Sequence, residues 1–420
     1  MHKSAVKPAP AAVLYISYDG ILEPLGQSQV LRYLERLARD HAIVLISFEK
    51  PDDWQQAEAR EAMRQRISAA GITWRPLRYH KRPSALATAF DIAQGIAVGA
   101  WLVWRLRVRI VHARSYVAAV MALALKKLFG LKFLFDMRGF WADERVDGGL
   151  WPAGGRLYRV AKWFERQFLL QADSVVSLTQ AAVDEMRTFP YLQGRMPRFA
   201  VITTCADLDV FRPAKGAPGA LTPAFSQRER MKDAFTLGYV GSVGVWYLFD
   251  DTLCCFQLLL ERVPQARLHI VNRGGHEYIR ERLAALAIDP AAVQLEAADP
   301  AGVARAMQQM DAGIFFYKPA YSRKATAPTK LGEFLGCGVP CLGNAGVGDM
   351  AAILESETVG VALDGFDNAA MREAIDRLLQ LTQTPGIRER CRNVALRYFA
   401  LEEGTRTYAA IYRELLSHPL

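Results

Sequence analysis

Apolar positions along this chain alternate between two rhythms. Unbroken apolar runs, such as residues 12–18 (AVLYISY) and 42–48, are followed by segments in which apolar residues return every three or four positions. Val30, Leu31, Leu34, Leu37 and Ala38 within residues 27–39 are the first case. A run that is apolar on both faces predicts a buried strand of a parallel sheet, and the three-to-four spacing predicts an amphipathic helix, so the chain opens on a βαβ unit. The same rhythm predicts helices at 54–70, 85–106, 116–129 and 155–171, with strands at 72–77, 109–112, 132–137 and 174–178. Between 201 and 234 the pattern breaks in a stretch rich in Pro, Gly and Ala, which predicts a linker and a domain boundary. A second series follows. Strands are expected at 235–240, 268–271, 293–296, 312–316, 339–342 and 359–362, with helices near 250–262, 277–287, 300–309 and 329–336.

These elements predict an α/β protein of two tandem Rossmann-like, doubly wound domains facing each other across a cleft. The first domain covers 1–205 and the second 213–403, and a last helix within 404–420 crosses back onto the first. Ligands of such sheets bind beyond the carboxyl ends of the strands. The polar positions at those ends therefore carry the chemistry.

Composition narrows the class. Of 420 residues, 51% are apolar, enough for two sizeable cores. The opening MHKSAVKPAP has lysines but no apolar run, so no signal peptide is expected and the chain is expected to be cytoplasmic. The most apolar stretch, 92–104 (IAQGIAVGAWLVW), falls short of the roughly 20 residues that cross a bilayer and predicts a buried helix. The six cysteines form no CxxC pair, which predicts buried reduced thiols and no metal site. The net charge of +9 is uneven: up to Lys215 there are 31 basic against 20 acidic residues, and beyond it 21 against 23. No nucleic-acid-binding motif accompanies the basic half, so no nucleic-acid partner is expected. An anionic membrane surface, a phosphorylated acceptor or an ordinary basic surface remains.

Four stretches concentrate candidate chemistry. Residues 322–349 (SRKATAPTKLGEFLGCGVPCLGNAGVGD) combine a polar loop with a helix entered at Pro328, for which Thr326 is the expected cap. A helix N-terminus there, at Thr326 to Thr329, with Lys330 beside it, suits a phosphate, and Glu333 one turn on can accept hydrogen bonds from the two hydroxyls of a ribose. The loop after the first strand holds Gly26 and Gln27 just before a helix. Its counterpart in the second domain is Gly241, Ser242, Val243 and Gly244, placed between a strand and a helix. Such glycines let backbone approach a phosphate or sugar closely. Residues 135–144 (FDMRGFWADE) put Asp136 and Arg138 at a strand end, and His112 ends the neighbouring strand, so this loop offers a cation for phosphate and carboxylates for hydroxyls. The pair Asp207 and Asp209 imitates a DxD metal motif, but its place in the interdomain connection favours a braced turn.

Taken together, LYISYDGILEPLGQSQVLRYLERLA, VHARSY, FDMRGFWADE, CADLDVFRP, GYVGSVGVWYLFDD and PTKLGEFLGCGVPCLGNAGVGD resemble glycosyltransferase family 4, of the two-Rossmann-domain GT-B type. That resemblance implies transfer of a sugar from a nucleotide-sugar, a UDP- or GDP-sugar, to an acceptor hydroxyl on a glycan or lipid-linked sugar in bacterial surface polysaccharide synthesis. It implies retention at the anomeric carbon, no bound metal and no cofactor. Glu333 matches the second acid of the family's E-x7-E motif, while the first falls at Ala325. The Arg and Lys that relatives place in the first loop of the donor domain are replaced by Ser242 and by Trp246 or Tyr247. Arg273, Lys330 and the helix end at Thr329 are left to meet the diphosphate, and the turn 343–348 is the nearest group for the sugar. Arg138 takes the place of a histidine in the acceptor domain. Arg138, Asp136 and His112 are then the expected catalytic group; Glu333, Lys330, Arg273, Gly241, Ser242, Thr329, Gly26 and Gln27 the expected donor-binding group. A sugar-nucleotide epimerase and a non-catalytic sugar-nucleotide-binding protein are the alternatives. Peripheral contact with the inner membrane face through the basic half and residues 92–104 is a further expectation.

Overall fold

A computed structural model describes residues 12–82, 84–214 and 235–417. The opening MHKSAVKPAP and most of the expected linker lie outside the described residues. The chain divides into two compact units: Met1–Leu178, Ala182–Ile202 and Gly404–Leu420 form the first, Thr179–Ala181 and Thr203–Glu403 the second.

The first unit is built on strands β1 (Val13–Ser17), β2 (Ile43–Glu49), β3 (Thr73–Arg78), β4 (Ile110–Arg114), β5 (Lys132–Asp136), β6 (Ser174–Ser177) and β7 (Arg198–Val201). All pair in parallel, in the order β3-β2-β1-β4-β5-β6-β7. Every residue of β1, β2 and β4 is buried, as an apolar run covered by helices on both faces requires. The strand order reverses at β1, so β1, β2 and β4 meet at the topological switch point where such sheets take ligands. There Ser17 pairs with Arg114, and Arg114 with Asp136, which lines up the last residues of β1, β4 and β5. The segment after β1 is more broken than a single helix. Short α-turns at Pro24–Gly26 and Arg32–Leu37 flank a π-helical stretch at Gln27–Leu31. Strand β7 went unpredicted: its four residues RFAV sit half exposed at the sheet edge, without the continuous burial of β1, β2 and β4.

The second unit carries β8 (Thr236–Val240), β9 (Arg267–Val271), β10 (Val293–Glu296), β11 (Ala312–Ile314), β12 (Cys341–Asn344) and β13 (Gly360–Leu363), again all parallel, in the order β10-β9-β8-β11-β12-β13. Alternate residues point to opposite faces. Leu237, Tyr239 and Ile270 enter one apolar core, while Val240, Val271 and Phe315 enter the other. Two helices after β13, Asn368–Thr382 and Ile387–Tyr398, add to these cores. All six cysteines are free, and all but the half-buried Cys254 are buried.

The last helix, Leu401–Ser417, supplies Tyr408 and Tyr412 to the interior of the first unit, both almost wholly buried. Asp207 braces a turn, its carboxylate accepting the Asp209 N–H at 3.3 Å. Among the described residues no group of three His, Cys, Asp or Glu side chains is placed to hold a metal.

Candidate functional site

In the first unit the sequence candidates converge on Asp136. Its side chain, 0% exposed, accepts a hydrogen bond from the Tyr408 hydroxyl at 3.0 Å. Around it stand Arg114 Nη1 at 3.7 Å, His112 Nε2 at 3.9 Å and Arg138 Nη1 at 3.9 Å. Burial works to raise the Asp136 pKa, but Arg138, His112 and Arg114 outweigh it and hold the carboxyl below its ordinary value. Burial pushes His112 down, which keeps the imidazole neutral near pH 7, and its Nδ1 is hydrogen-bonded to the Tyr412 hydroxyl at 2.7 Å. Its ring lies 4.3 Å from that of Tyr15 and 5.1 Å from that of Tyr408.

His112 and Asp136 are therefore enclosed, and the expectation that they line a cleft is corrected. Both pack under the C-terminal helix, against Tyr408 and Tyr412. Arg138 differs. It sits in the left-handed region, φ 60, with a positive-φ glycine after it, and its side chain retains 12% exposure. A non-glycine residue at such a φ costs on the order of 1 kcal/mol. The ion pair to Asp136 is the contact that this conformation secures.

Gly26 and Gln27 have contacts within their own loop. A Cβ on Gly26 would lie 2.0 Å from the Gly20 carbonyl oxygen and 2.9 Å from the Ile21 Cα, so the missing side chain lets the loop close on itself. Gln27 Nε2 donates to the Leu22 carbonyl at 3.1 Å. The buried Glu49 carboxylate accepts the N–H groups of Ile21 at 2.9 Å and Leu22 at 3.1 Å. Both residues thus have roles inside the loop, apart from any ligand.

The second unit holds the stronger constellation. Lys330, on the helix Thr329–Gly336, is buried, and among the described residues its Nζ has no well-formed hydrogen bond; the Tyr247 hydroxyl is the one polar side-chain group near enough to act as a weak acceptor. The Nζ lies 4.0 Å from the ring centre of Tyr247, 5.2 Å from Tyr239, 5.7 Å from Phe315 and 5.9 Å from Tyr317. Cation–π contact compensates part of the lost hydration. Burial pushes the Lys330 pKa down, opposed by Tyr247 and Glu333. Glu333, one turn further, makes no hydrogen bond among the described residues, and burial raises its pKa to about 7 against the pull of Lys330.

Gly241, at φ 117, borders the same spot: a Cβ there would come within 2.9 Å of Lys330 Nζ. No other residue fits both the backbone angle and the space. The loop is fixed by Asn272, whose Nδ2 donates to the Gly241 carbonyl at 2.7 Å, and by the Tyr239 hydroxyl on the Ser242 carbonyl at 2.7 Å. Ser242 itself is exposed. The helix that follows, Phe249–Arg262, starts where it was expected, after residues that bridge Tyr247 to Tyr317.

A second cation joins the group. Buried Arg323 lies 4.3 Å below the Trp246 ring, its Nη1 donating to Thr326 Oγ1 at 3.3 Å while its Nε stays unpaired. Thr326 is thereby occupied, and the expected cap is corrected: the helix is capped by Pro328, with no side-chain cap, which leaves Thr329 at its first position. Leu331 N–H turns back on the Pro328 carbonyl at 3.2 Å, so Thr329 and Lys330 supply the helix-end N–H groups. Gly348, at φ 46, ties the turn 343–348 to this loop through its N–H on the Arg323 carbonyl at 2.8 Å.

Arg273 is not gathered in. It is exposed, with Nε 3.4 Å from the Ala298 carbonyl, although Asn272 beside it holds the Gly241 loop. Sequence reasoning missed Asn272 and Asn344, which brace the strand ends, the latter through the Tyr317 N–H at 2.8 Å and carbonyl at 3.1 Å. An asparagine directly following or ending an apolar strand was the available signal. The tyrosines around Lys330 gave none, since they come from separate strand ends.

Residues 26–204 match the family model described as a glycosyl transferase 4-like domain. No curated protein matches the sequence. Among solved structures the chain is similar to a glycosyltransferase from Rickettsia africae at 14% identity and TM-score 0.68, covering 98% of this chain and 100% of that one. It is similar to the sucrose-phosphate synthase of Thermosynechococcus elongatus at 14% identity and TM-score 0.67, covering 97% and 99%. Anabaena HepE, solved in complex with UDP-glucose, is similar at 13% identity and TM-score 0.61, covering 96% and 99%. At such identities the likeness establishes the shared fold.

Proposed function

We propose that this chain, whose residues 26–204 match the glycosyl transferase 4-like domain and whose fold is shared with GT-B glycosyltransferases, is itself such an enzyme and transfers a sugar from a UDP- or GDP-sugar to an acceptor hydroxyl. The acceptor is a glycan or lipid-linked sugar of bacterial surface polysaccharide. The observation that carries the reading is Lys330, a buried amine with no well-formed hydrogen bond and only the Tyr247 hydroxyl beside it, bordered by the open backbone of Gly241. An unpaired buried charge is costly in the empty protein, and a diphosphate oxygen is the group that would complete it. Arg323 and the N–H groups of Thr329 and Lys330 add to the same charge. Negative charge grows on the departing diphosphate as the glycosidic bond breaks, so these fixed donors lower the barrier directly. Glu333 takes the ribose hydroxyls. Arg138, held by Asp136, faces the acceptor reaction, with His112, Tyr408 and Tyr412 fixing Asp136. That HepE was solved with UDP-glucose supports a uridine donor. Retention and independence of metal and cofactor belong to the proposal as well.

A thermal-shift screen against UDP-, GDP- and dTDP-sugars, followed by an assay for nucleotide release, tests it. One sugar-nucleotide should raise the midpoint, and nucleotide release should require an acceptor. Donor conversion without any acceptor would establish the epimerase instead, and binding without release the non-catalytic reading. NMR of the product anomer and an EDTA control decide retention and metal independence.

A further inference from the structure

The helix Ser84–Leu106 is not the buried helix its apolar sequence predicts. Its inner side holds Ala87, Asp91, Gly95, Gly99 and Leu102, all buried. A Cβ on Gly95 would come 2.4 Å from Met121 Sδ, and one on Gly99 2.8 Å from Leu125 Cδ1, so these glycines let the helix Ser115–Phe129 lie close alongside. The outer side is equally apolar. Leu86 is 71% exposed, Phe90 56%, Trp101 48% and Trp104 73%, with exposed Ala93 and Ala97 between them. This stripe runs about 27 Å along the helix. A surface helix that is apolar all round is missing its solvent or its partner.

The contacts of Gly95 with Met121 and Gly99 with Leu125 run the two helices in the same direction, which brings their C-terminal ends together. Leu128 and Phe129, 65% and 41% exposed, thus extend the apolar surface near Trp101 and Trp104. Exposed Arg105, Arg107 and Lys127 edge this end, and neither helix contributes an acid to it. The single acid of the long helix, Asp91, is 0% exposed and held inward by the Tyr18 hydroxyl at 2.9 Å, the His80 N–H at 3.1 Å and His80 Nδ1 at 2.6 Å.

We propose that the outer face of the helix Ser84–Leu106, with the adjoining end of Ser115–Phe129, seats on an anionic lipid surface. Tryptophans at one end of an apolar stripe, bordered by arginine and lysine, match the boundary between acyl chains and negatively charged headgroups. The Asp91 network decides between lying on a membrane and crossing it: crossing would strip a carboxylate of three partners and place it in hydrocarbon. The helix lies in the interface plane. A second copy of the chain fits the rim less well, because it would bring the same basic residues against their like. The reading is independent of the sugar chemistry.

Sedimentation of the full chain with vesicles of phosphatidylglycerol and phosphatidylcholine, against phosphatidylcholine alone, tests it without any sugar present. Binding is expected on the anionic vesicles and should weaken with salt. The double variant Trp101→Gln/Trp104→Gln should lose on the order of tenfold or more in affinity. Arg105→Gln/Arg107→Gln/Lys127→Gln should lower binding on the anionic vesicles alone. Unchanged circular dichroism and melting midpoint would establish that both variants fold. Wild-type protein that stays in the supernatant, or tryptophan variants that bind equally well, would overturn the proposal. So would light scattering that finds a dimer dissolved by the tryptophan variant, since a second copy would then be the occupant.

Discussion

Replacing Glu333 by Gln should stabilise the empty protein and weaken nucleotide binding, two effects of opposite sign from one carboxylate. Its pKa is about 7 in the fold, against 4.5 for an unperturbed glutamate, because it is buried with only Lys330 to favour the charge. A carboxyl raised in this way contributes stability that is complete below the unfolded pKa and is lost as pH rises through the folded one. The cost of the ionised form is about 1 kcal/mol near pH 5.5 and reaches about 3 kcal/mol near pH 8. Glutamine does not ionise. Its advantage in urea unfolding should therefore grow across that window and vanish below about pH 4.5. Binding runs the other way. Two hydroxyl groups on a carboxylate form charge-assisted hydrogen bonds, and their loss should cost roughly 3 kcal/mol, about a hundredfold in Kd by calorimetry. Wild-type affinity should also rise with pH through about 7, as the acceptor form becomes populated, while the variant shows a flat profile. A Glu333→Gln protein that is less stable than wild type at pH 8, or one that binds the donor equally well, would refute the assignment.

Lys330→Met should behave similarly for a different charge. Since burial depresses the lysine pKa, the wild-type protein gives up stability as pH falls below the unfolded value near 10.5, so methionine should raise the midpoint at neutral pH. UDP affinity should drop roughly tenfold to a hundredfold, and a drop of the same size for uridine would show that the lysine does not meet the phosphates. Arg138→Ala should lower turnover by at least about a hundredfold with donor Kd unchanged, measured by nucleotide release and calorimetry. Normal turnover would remove Arg138 from the reaction.

The fold was legible because burial on both faces writes unbroken apolar runs, and β1, β2 and β4 are such runs in full. Strand β7 was not: it is four residues long with two exposed, whereas the equally exposed edge strand β3 runs for six. At the site, the residues that touch through one helix were legible. Lys330 and Glu333 lie one turn apart, and spacing alone puts them on one side. What surrounds Lys330 was hidden for the opposite reason. Tyr239, Tyr247, Phe315 and Tyr317 meet only because β8 lies beside β11 in the sheet, and pairing order is not written in any local period. Gly26 is ambiguous because a glycine needed for backbone to approach backbone looks, in sequence, like one needed for a ligand.

Two departures from the family pattern become one adjustment when placed in the fold. Trp246 and Tyr247 stand where relatives are expected to carry a cation, yet their rings hold the cations Arg323 and Lys330, which arrive from a loop and a helix further along the chain. Positive charge has been relocated rather than lost. Ala325, where an acid is expected, is 3% exposed and two residues from the stacked Arg323. A carboxylate there would be desolvated beside a guanidinium and would neutralise the charge that the proposed diphosphate would need. With alanine, Arg323 has no acid beside it in its own loop, and the second unit keeps the positive charge that the proposed anionic donor would require.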